Sequence, residues 1–226
     1  MSLFAQLMLA CAAFLVTHFI SSTALRGRLI AAVGEKLYLG LYSLAAAATL
    51  GWMIYTYYHA PFSSLWYVPA LRYVPLAIMP FALILIVCGV LTRNPAVVGQ
   101  ERLLERDHAV HGILRVTRHP LMWGVALWAA SHVLARGDAA SGVFFGTFLV
   151  LALVGTAMSD RRKARALGER WQHFATTTSH VPFAAIASGR TAFVPGEIGW
   201  TKPILGIVLY IILLFLHPVI FGARPY

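Results

Sequence analysis

Six apolar runs, each close to twenty residues and almost free of charge, constrain this chain more than any other feature. They lie at 3–22, 37–58, 73–92, 119–135, 140–158 and 203–221. About 20 apolar residues carry a helix across a ~30 Å hydrocarbon layer. Lipid offers no partner for a free N–H or C=O, so such runs cross as helices. The expected fold is therefore an all-α, polytopic transmembrane bundle of about six helices, one domain over 1–226. Composition agrees, because only 12% of the 226 residues are charged, about half the ~25% of a soluble domain. A water-soluble globule could not cover itself with so little charge. The third run carries Pro75 and Pro80, where a kink is expected and a neighbouring group must take up each freed carbonyl.

The formal net charge is +10. In a soluble chain that would raise nucleic-acid binding, but membrane proteins collect Lys and Arg in their cytoplasmic loops. If the N-terminus faces outward, 15 of the 18 basic residues fall in inner loops, and only Arg72, Arg136 and Arg224 stay outside. The expected location is thus a bacterial inner (cytoplasmic) membrane with both termini outside, lipid as the surrounding partner and no nucleic acid. The N-terminus lacks a basic leader region and its apolar stretch is too long for a signal peptide, so it reads as the first span.

Between the spans, Tyr55, Tyr57, Tyr58, Trp66, Tyr67 and Tyr73 suit an outer aromatic belt. Residues 100–117 alternate apolar and charged side chains, as an amphipathic helix on the inner surface would. Residues 160–177 predict a polar cytoplasmic helix continuing from span five. Residues 178–202, with Pro195 and several glycines, predict an irregular return to the membrane. Cys11 and Cys88 fall inside apolar runs, with no spacing for zinc, and read as buried thiols.

The nine histidines are the main chemical signal. His18 in span one and His132 in span four are intramembrane ionisable groups, with no acidic side chain in any span to pair with. A neutral imidazole in an apolar site suits metal or haem ligation; a hydrogen-bonded structural histidine is the alternative. His59 and His119, at span ends, suit interfacial snorkelling as well as ligation. His108 and His111, one turn apart, and His173 and His180 read as solvated, while His217 stays open. No phosphate loop, dinucleotide fingerprint, HExxH or GxSxG occurs, which argues against phosphoryl transfer, zinc proteolysis and serine hydrolysis.

The blocks Arg118-His-Pro-Leu-Met-Trp-Gly124, Leu127-Trp-Ala-Ala-Ser-His132, Gly137-Asp138, Ser159-Asp-Arg-Arg162 and His180-Val-Pro-Phe-Ala-Ala-Ile186, with Gly189-Arg190 and His217-Pro218, resemble the NnrU family. That family includes bacterial proteins associated with denitrification and the 15-cis-zeta-carotene isomerases, and the likeness is to the isomerase branch. The resemblance implies a haem b acting on a cis double bond of an apolar polyene, with iron ligands at His18 and His132 and a further needed histidine at His59. His119 and Arg118 are added as cofactor-binding candidates. Where the plant enzymes carry a cysteine three residues before the fourth-span histidine, this chain has Ala129, and Arg136 stands where the family usually has a neutral residue. At 1.5 Å per residue, His18 lies nearer the inner edge and His132 nearer the outer, so depth alone pairs His18 with His119 and His59 with His132.

A second resemblance is to the S-adenosylmethionine-dependent membrane methyltransferases of isoprenylcysteine and phospholipids. It rests on Arg118-His-Pro with Gly124 and on Gly168-Glu169, Trp171 and Pro182. Their tyrosine is replaced by Met122 and their paired glutamates by Ser159-Asp160. A non-enzymatic assembly role linked to denitrification is a third possibility.

Overall fold

The computed structural model describes residues 1–105 and 109–225. His108 therefore lies outside the described residues, and the His108–His111 spacing is not placed. All six apolar runs are helical. In chain order the α-helices are α1 (Leu3–Ile20), α2 (Leu25–Val33), α3 (Glu35–His59), α4 (Val74–Leu91), α5 (Ile113–Val116), α6 (Pro120–Arg136), α7 (Ala139–Val150), α8 (Thr156–Leu167), α9 (Glu169–Thr177), α10 (Ala184–Ala187), α11 (Pro195–Ile198) and α12 (Thr201–Phe221). Among the described residues five stretches are long and apolar enough to cross a membrane: α1, α3, Pro69–Leu91, Ala139–Leu167 and α12. The sixth, α6, has 17 residues, at the lower limit for a span.

Side-to-side packing runs α3–α1–α7–α6–α4–α12. Successive spans alternate in direction, so the ends of α1, α4 and α7 and the starts of α3, α6 and α12 share one end, the basic end, which also carries Arg26, Arg118 and Lys163. Helix α12 forms an edge: of its residues only Gly206 is buried. A Cβ there would lie 2.7 Å from Ile84 Cα, so the missing side chain is what lets α12 reach α4. Helix α4 runs through Pro80. Proline has no N–H, so the Leu76 carbonyl one turn earlier loses its partner. The Tyr210 hydroxyl of α12 donates to that carbonyl at 3.2 Å.

Helix α7 passes into α8 through a π-helical segment, Leu151–Gly155. The expected polar helix over 160–177 is α8 and α9, which turn at Gly168. It does not project into solvent: Trp171 and Phe174 are buried with Ile113, Leu114, Val116 and Cys88 in a second apolar core at the basic end. That core also corrects the expected amphipathic helix over 100–117. The described part of this stretch is a 3-10 turn, Glu101–Glu105, and the four-residue α5. Gly112, at φ +56° and ψ −126°, starts α5 from a backbone shape foreign to a helix. The apolar side chains of α5 face protein interior, where burial from water is more complete than on a membrane surface.

Lys163 binds this cap to the bundle. It is 1% exposed, and its ammonium donates to Pro95 O (2.9 Å), Val97 O (3.3 Å) and Glu101 Oε1 (2.7 Å). A buried ammonium needs this saturation to offset its lost hydration. The ion pair also holds the Glu101 carboxyl below its usual range despite partial burial.

Candidate functional site

The main apolar core lies between α1, α3, α6 and α7 and is rich in aromatic rings. His18 and His132 border it in the same local geometry. His18 Nδ1 meets the Phe14 carbonyl at 2.8 Å, and His132 Nδ1 meets the Trp128 carbonyl at 2.8 Å. His59 repeats the arrangement with the Tyr55 carbonyl at 2.7 Å. A carbonyl only accepts, so each Nδ1 carries a proton, and each ring in its neutral form has its lone pair at Nε2. Among the described residues no hydrogen bond ends on these Nε2 atoms. A neutral imidazole locked by Nδ1–H on a carbonyl, with Nε2 left over, is the form that ligates iron. Taken singly, the donor chemistry of each fits haem.

The pair is not face to face. His18 packs on Phe14 (4.1 Å between ring centroids) and Tyr42 (5.9 Å). His132 packs on Trp128 (5.8 Å) and Phe145 (5.0 Å). Phe148 bridges the two sets, 5.6 Å from Phe14 and 5.1 Å from Trp128. A chain of ring contacts through Phe14, Phe148 and Trp128 thus links the two histidines. Neither depth pairing is assembled: His59 touches Tyr55, and His119 turns to other partners. His217 bonds its own chain, Nδ1 to the Ala223 carbonyl at 2.7 Å.

His119 begins α6 at the basic end, where it forms a polar site with Asp160 and His180. Pro120 sets the first turn of α6, and His119, 7% exposed, precedes it. Its Nε2 donates to Asp160 Oδ1 at 2.8 Å, and Arg118 Nε donates to Asp160 Oδ2 at 2.8 Å. The Arg118 N–H donates to Ser179 O, and its carbonyl accepts from Asn94 Nδ2. The third member, His180, is held by its own carbonyl, which accepts from Thr117 Oγ1 and Trp123 Nε1, both at 2.7 Å. Its ring meets His119 edge-on at 5.2 Å. Expected to be solvated, His180 is instead a partly buried site residue. Burial, then the nearby His119 and Arg118, lowers its pKa below the usual histidine value, against the pull of Asp160.

The tautomer of His180 follows from its neighbours. The Thr156 hydroxyl spends its proton on the Ala152 carbonyl at 2.6 Å, so its contact with His180 Nε2, a long 3.5 Å, requires the ring to donate. The His180 Nδ1 lone pair then faces Asp160 Oδ2 across 3.9 Å, too far for a hydrogen bond, and is buried without one. Two acceptors facing each other hold a space for a proton or a cation. His119, Asp160 and His180 are the one group of three such ligands found among the described residues, with donor atoms within 4.8 Å of one another. Arg118 already supplies positive charge to the same carboxylate, so as built the site is an ion-paired latch with one vacant acceptor.

Comparison with known proteins bears on both sites. The family model described as NnrU protein matches residues 6–225. Over 79 residues the chain is 38% identical to a chloroplastic 15-cis-zeta-carotene isomerase of Arabidopsis thaliana, and 37% identical to its namesake in Zea mays. Each match covers 35% of this chain and 22% of the relative's length. No solved structure matches.

Proposed function

The chain belongs to the NnrU family, and on that premise we propose that it is a membrane isomerase of carotenoid type, acting on a cis double bond of an apolar polyene with a haem b held by His18 and His132. The similarity to two 15-cis-zeta-carotene isomerases supports the substrate class. The observation that carries the cofactor is the shared geometry of the two intramembrane histidines, each with Nδ1 fixed on the preceding turn and Nε2 free. When bound, haem iron supplies a centre that exchanges electron density with a conjugated chain and so eases rotation about one double bond.

The protein's own part is positional. The i−4 hydrogen bonds hold each imidazole in one tautomer. Phe14, Phe144, Phe145, Phe148 and Trp128 line a largely aromatic interior, which suits a hydrocarbon and keeps water away. In this reading the basic end faces the cytoplasm.

Detergent-purified protein, beside His18→Ala and His132→Ala, tests the proposal by absorption spectroscopy and by conversion of a 15-cis carotene. Wild type should show a Soret band and isomerise the carotene, and each variant should lose most of both. A wild-type protein with no Soret band and no extractable haem overturns the haem assignment. Retention of the band in both variants moves the ligands to His59 or His119.

One observation favours a second reading, transfer of a methyl group from S-adenosylmethionine. The Arg118-His119-Pro120 block meets Asp160, which stands where the methyltransferases carry a glutamate. Both Asp160 oxygens are already engaged, however, and calorimetry with S-adenosylmethionine should give no heat of binding.

A further inference from the structure

A second polar group at the basic end has donors with nothing to bind. Tyr38, in the first turn of α3, is 6% exposed, and its hydroxyl is buried with no hydrogen-bond partner among the described residues. Arg162 on α8 likewise has a buried Nε without a partner. It stands within electrostatic reach of Arg26 and Tyr38. Arg26 lays its guanidinium over the Tyr38 ring, with Cζ 5.8 Å from the centroid. The carboxylate beside Arg26, Glu35, is 3.8 Å away and 67% exposed, a weak partner. Glu101, the other carboxylate whose charge reaches Arg162, is bound to Lys163 at 2.7 Å.

Arg26 over the Tyr38 ring, Arg162 within electrostatic reach of both, and buried donors of Tyr38 and Arg162 left unsatisfied make a like-charged cluster that an arriving acceptor would relieve. The place is also specific. Tyr38 stacks on Tyr42 at 6.3 Å, and Tyr42 meets the His18 ring at 5.9 Å. An aromatic strip therefore runs from the unpaired donors at the membrane edge to the imidazole inside. An amphiphile lying along it would set its apolar body against Tyr42 and His18 and its acidic end on the arginines.

We propose that Arg26, Arg162 and the Tyr38 hydroxyl form an anion site for the carboxylate or phosphate end of a membrane-embedded amphiphile whose apolar body lies against Tyr42 and His18. Arginine suits either group, since its fork of donors matches paired anionic oxygens. Where the amphiphile is haem, the inference rests on the proposed function, and these residues receive its propionates. Where it is a lipid, they receive the headgroup phosphate.

Full-length protein in nanodiscs separates the two sources. Wild type, Arg162→Gln and Tyr38→Phe are titrated with haem and with haem dimethyl ester, whose carboxylates are blocked, following the Soret band. A parallel arm uses discs of equal phosphatidylglycerol and phosphatidylcholine and counts retained lipids by native mass spectrometry. The propionate site predicts that wild type binds haem at least ten-fold tighter than the ester. Both variants should then lose that preference while binding the ester as wild type does. No haem uptake by wild type removes the haem reading alone; retention of phosphatidylglycerol that Arg162→Gln abolishes then upholds the anion site. Equal affinity for haem and ester with no lipid preference overturns it. So does a variant that weakens haem and ester alike, which marks a structural role.

Discussion

Replacing Gly124 by alanine tests whether the close approach of α4 and α6 holds the bundle together. A Cβ at this position would lie 2.5 Å from Ala82 O, 2.6 Å from Ile86 Cγ1 and 3.0 Å from Ile86 N. Ordinary contact begins at 3.4 Å. Two of the three atoms are backbone of α4, so no rotamer change relieves the overlap, and the helices must part by about 0.9 Å, the difference between 3.4 and 2.5 Å. Overpacking of this kind costs about 1–3 kcal/mol, or up to roughly a hundred-fold in the folding equilibrium. Gly142, in α7, is the control: a Cβ there meets nothing within 4 Å. Alanine favours a helix over glycine by about 0.5–1 kcal/mol, so Gly142→Ala should be neutral or stabilising. Reversible unfolding in mixed detergent micelles reads the difference, expected at about 1–3 kcal/mol between the two variants because the helix-propensity gain is common to both. Because α6 carries His119, Trp128 and His132, Gly124→Ala should also weaken any haem spectrum. Equal stability of the two variants would refute the packing argument.

Tyr210→Phe leaves the Leu76 carbonyl without the donor that Pro80 cannot supply. Buried hydrogen bonds in membrane bundles are worth about 0.6 kcal/mol on average and at most about 1.7, and the same unfolding assay should show a loss in that range. The Arg115 fork and the Gly112 N–H hold the Glu197 carboxyl down to about 2 from an ordinary 4.5. A lowered carboxyl stabilises the fold above its unfolded value, and that contribution drains away as the pH falls from 4.5 through 2. With the Glu197 side chain 33% exposed, solvent screening limits it to about 1 kcal/mol. Glu197→Gln should therefore flatten the decline in melting temperature over that window; an unchanged acid profile would show that the pair contributes nothing.

The spans were legible because the bilayer imposes length and hydrophobicity on each one separately. Leu3–Ile20 and Thr201–Phe221 fall within two residues of the apolar runs that announced them. What escaped depends on chain segments far apart. Asp160 is 41 residues from His119, and His180 a further 20, so no local pattern reports that they meet. The blocks around Arg118, Asp160 and His180 that carry the family resemblance were the available sign. The segment 100–117 has the composition of a membrane-surface helix, yet a second core at the basic end gives its apolar residues a drier place to go. Lys163 counted as one inner-loop charge among many, although it is sealed inside that cap. Charge counting locates a side of the membrane and does not distinguish a solvated ammonium from a structural one.

The π segment between α7 and α8 works as a phase corrector. In an uninterrupted α-helix each residue advances about 100°, so the twelve steps from Phe148 to Asp160 would leave the two side chains about 120° apart. A π turn absorbs about one extra residue, taking back close to 100° and leaving them nearly in line. Phe148 touches Trp128, inside α6, and Asp160 binds His119, the residue that caps the start of α6. The spare residue in Leu151–Gly155 thus keeps one long helix facing one neighbour from the lipid-buried aromatic relay to the polar latch. Removing a single residue from this segment would leave a plain helix with the same alignment, whereas the same deletion in α7 or α8 would swing the carboxylate away from the histidines.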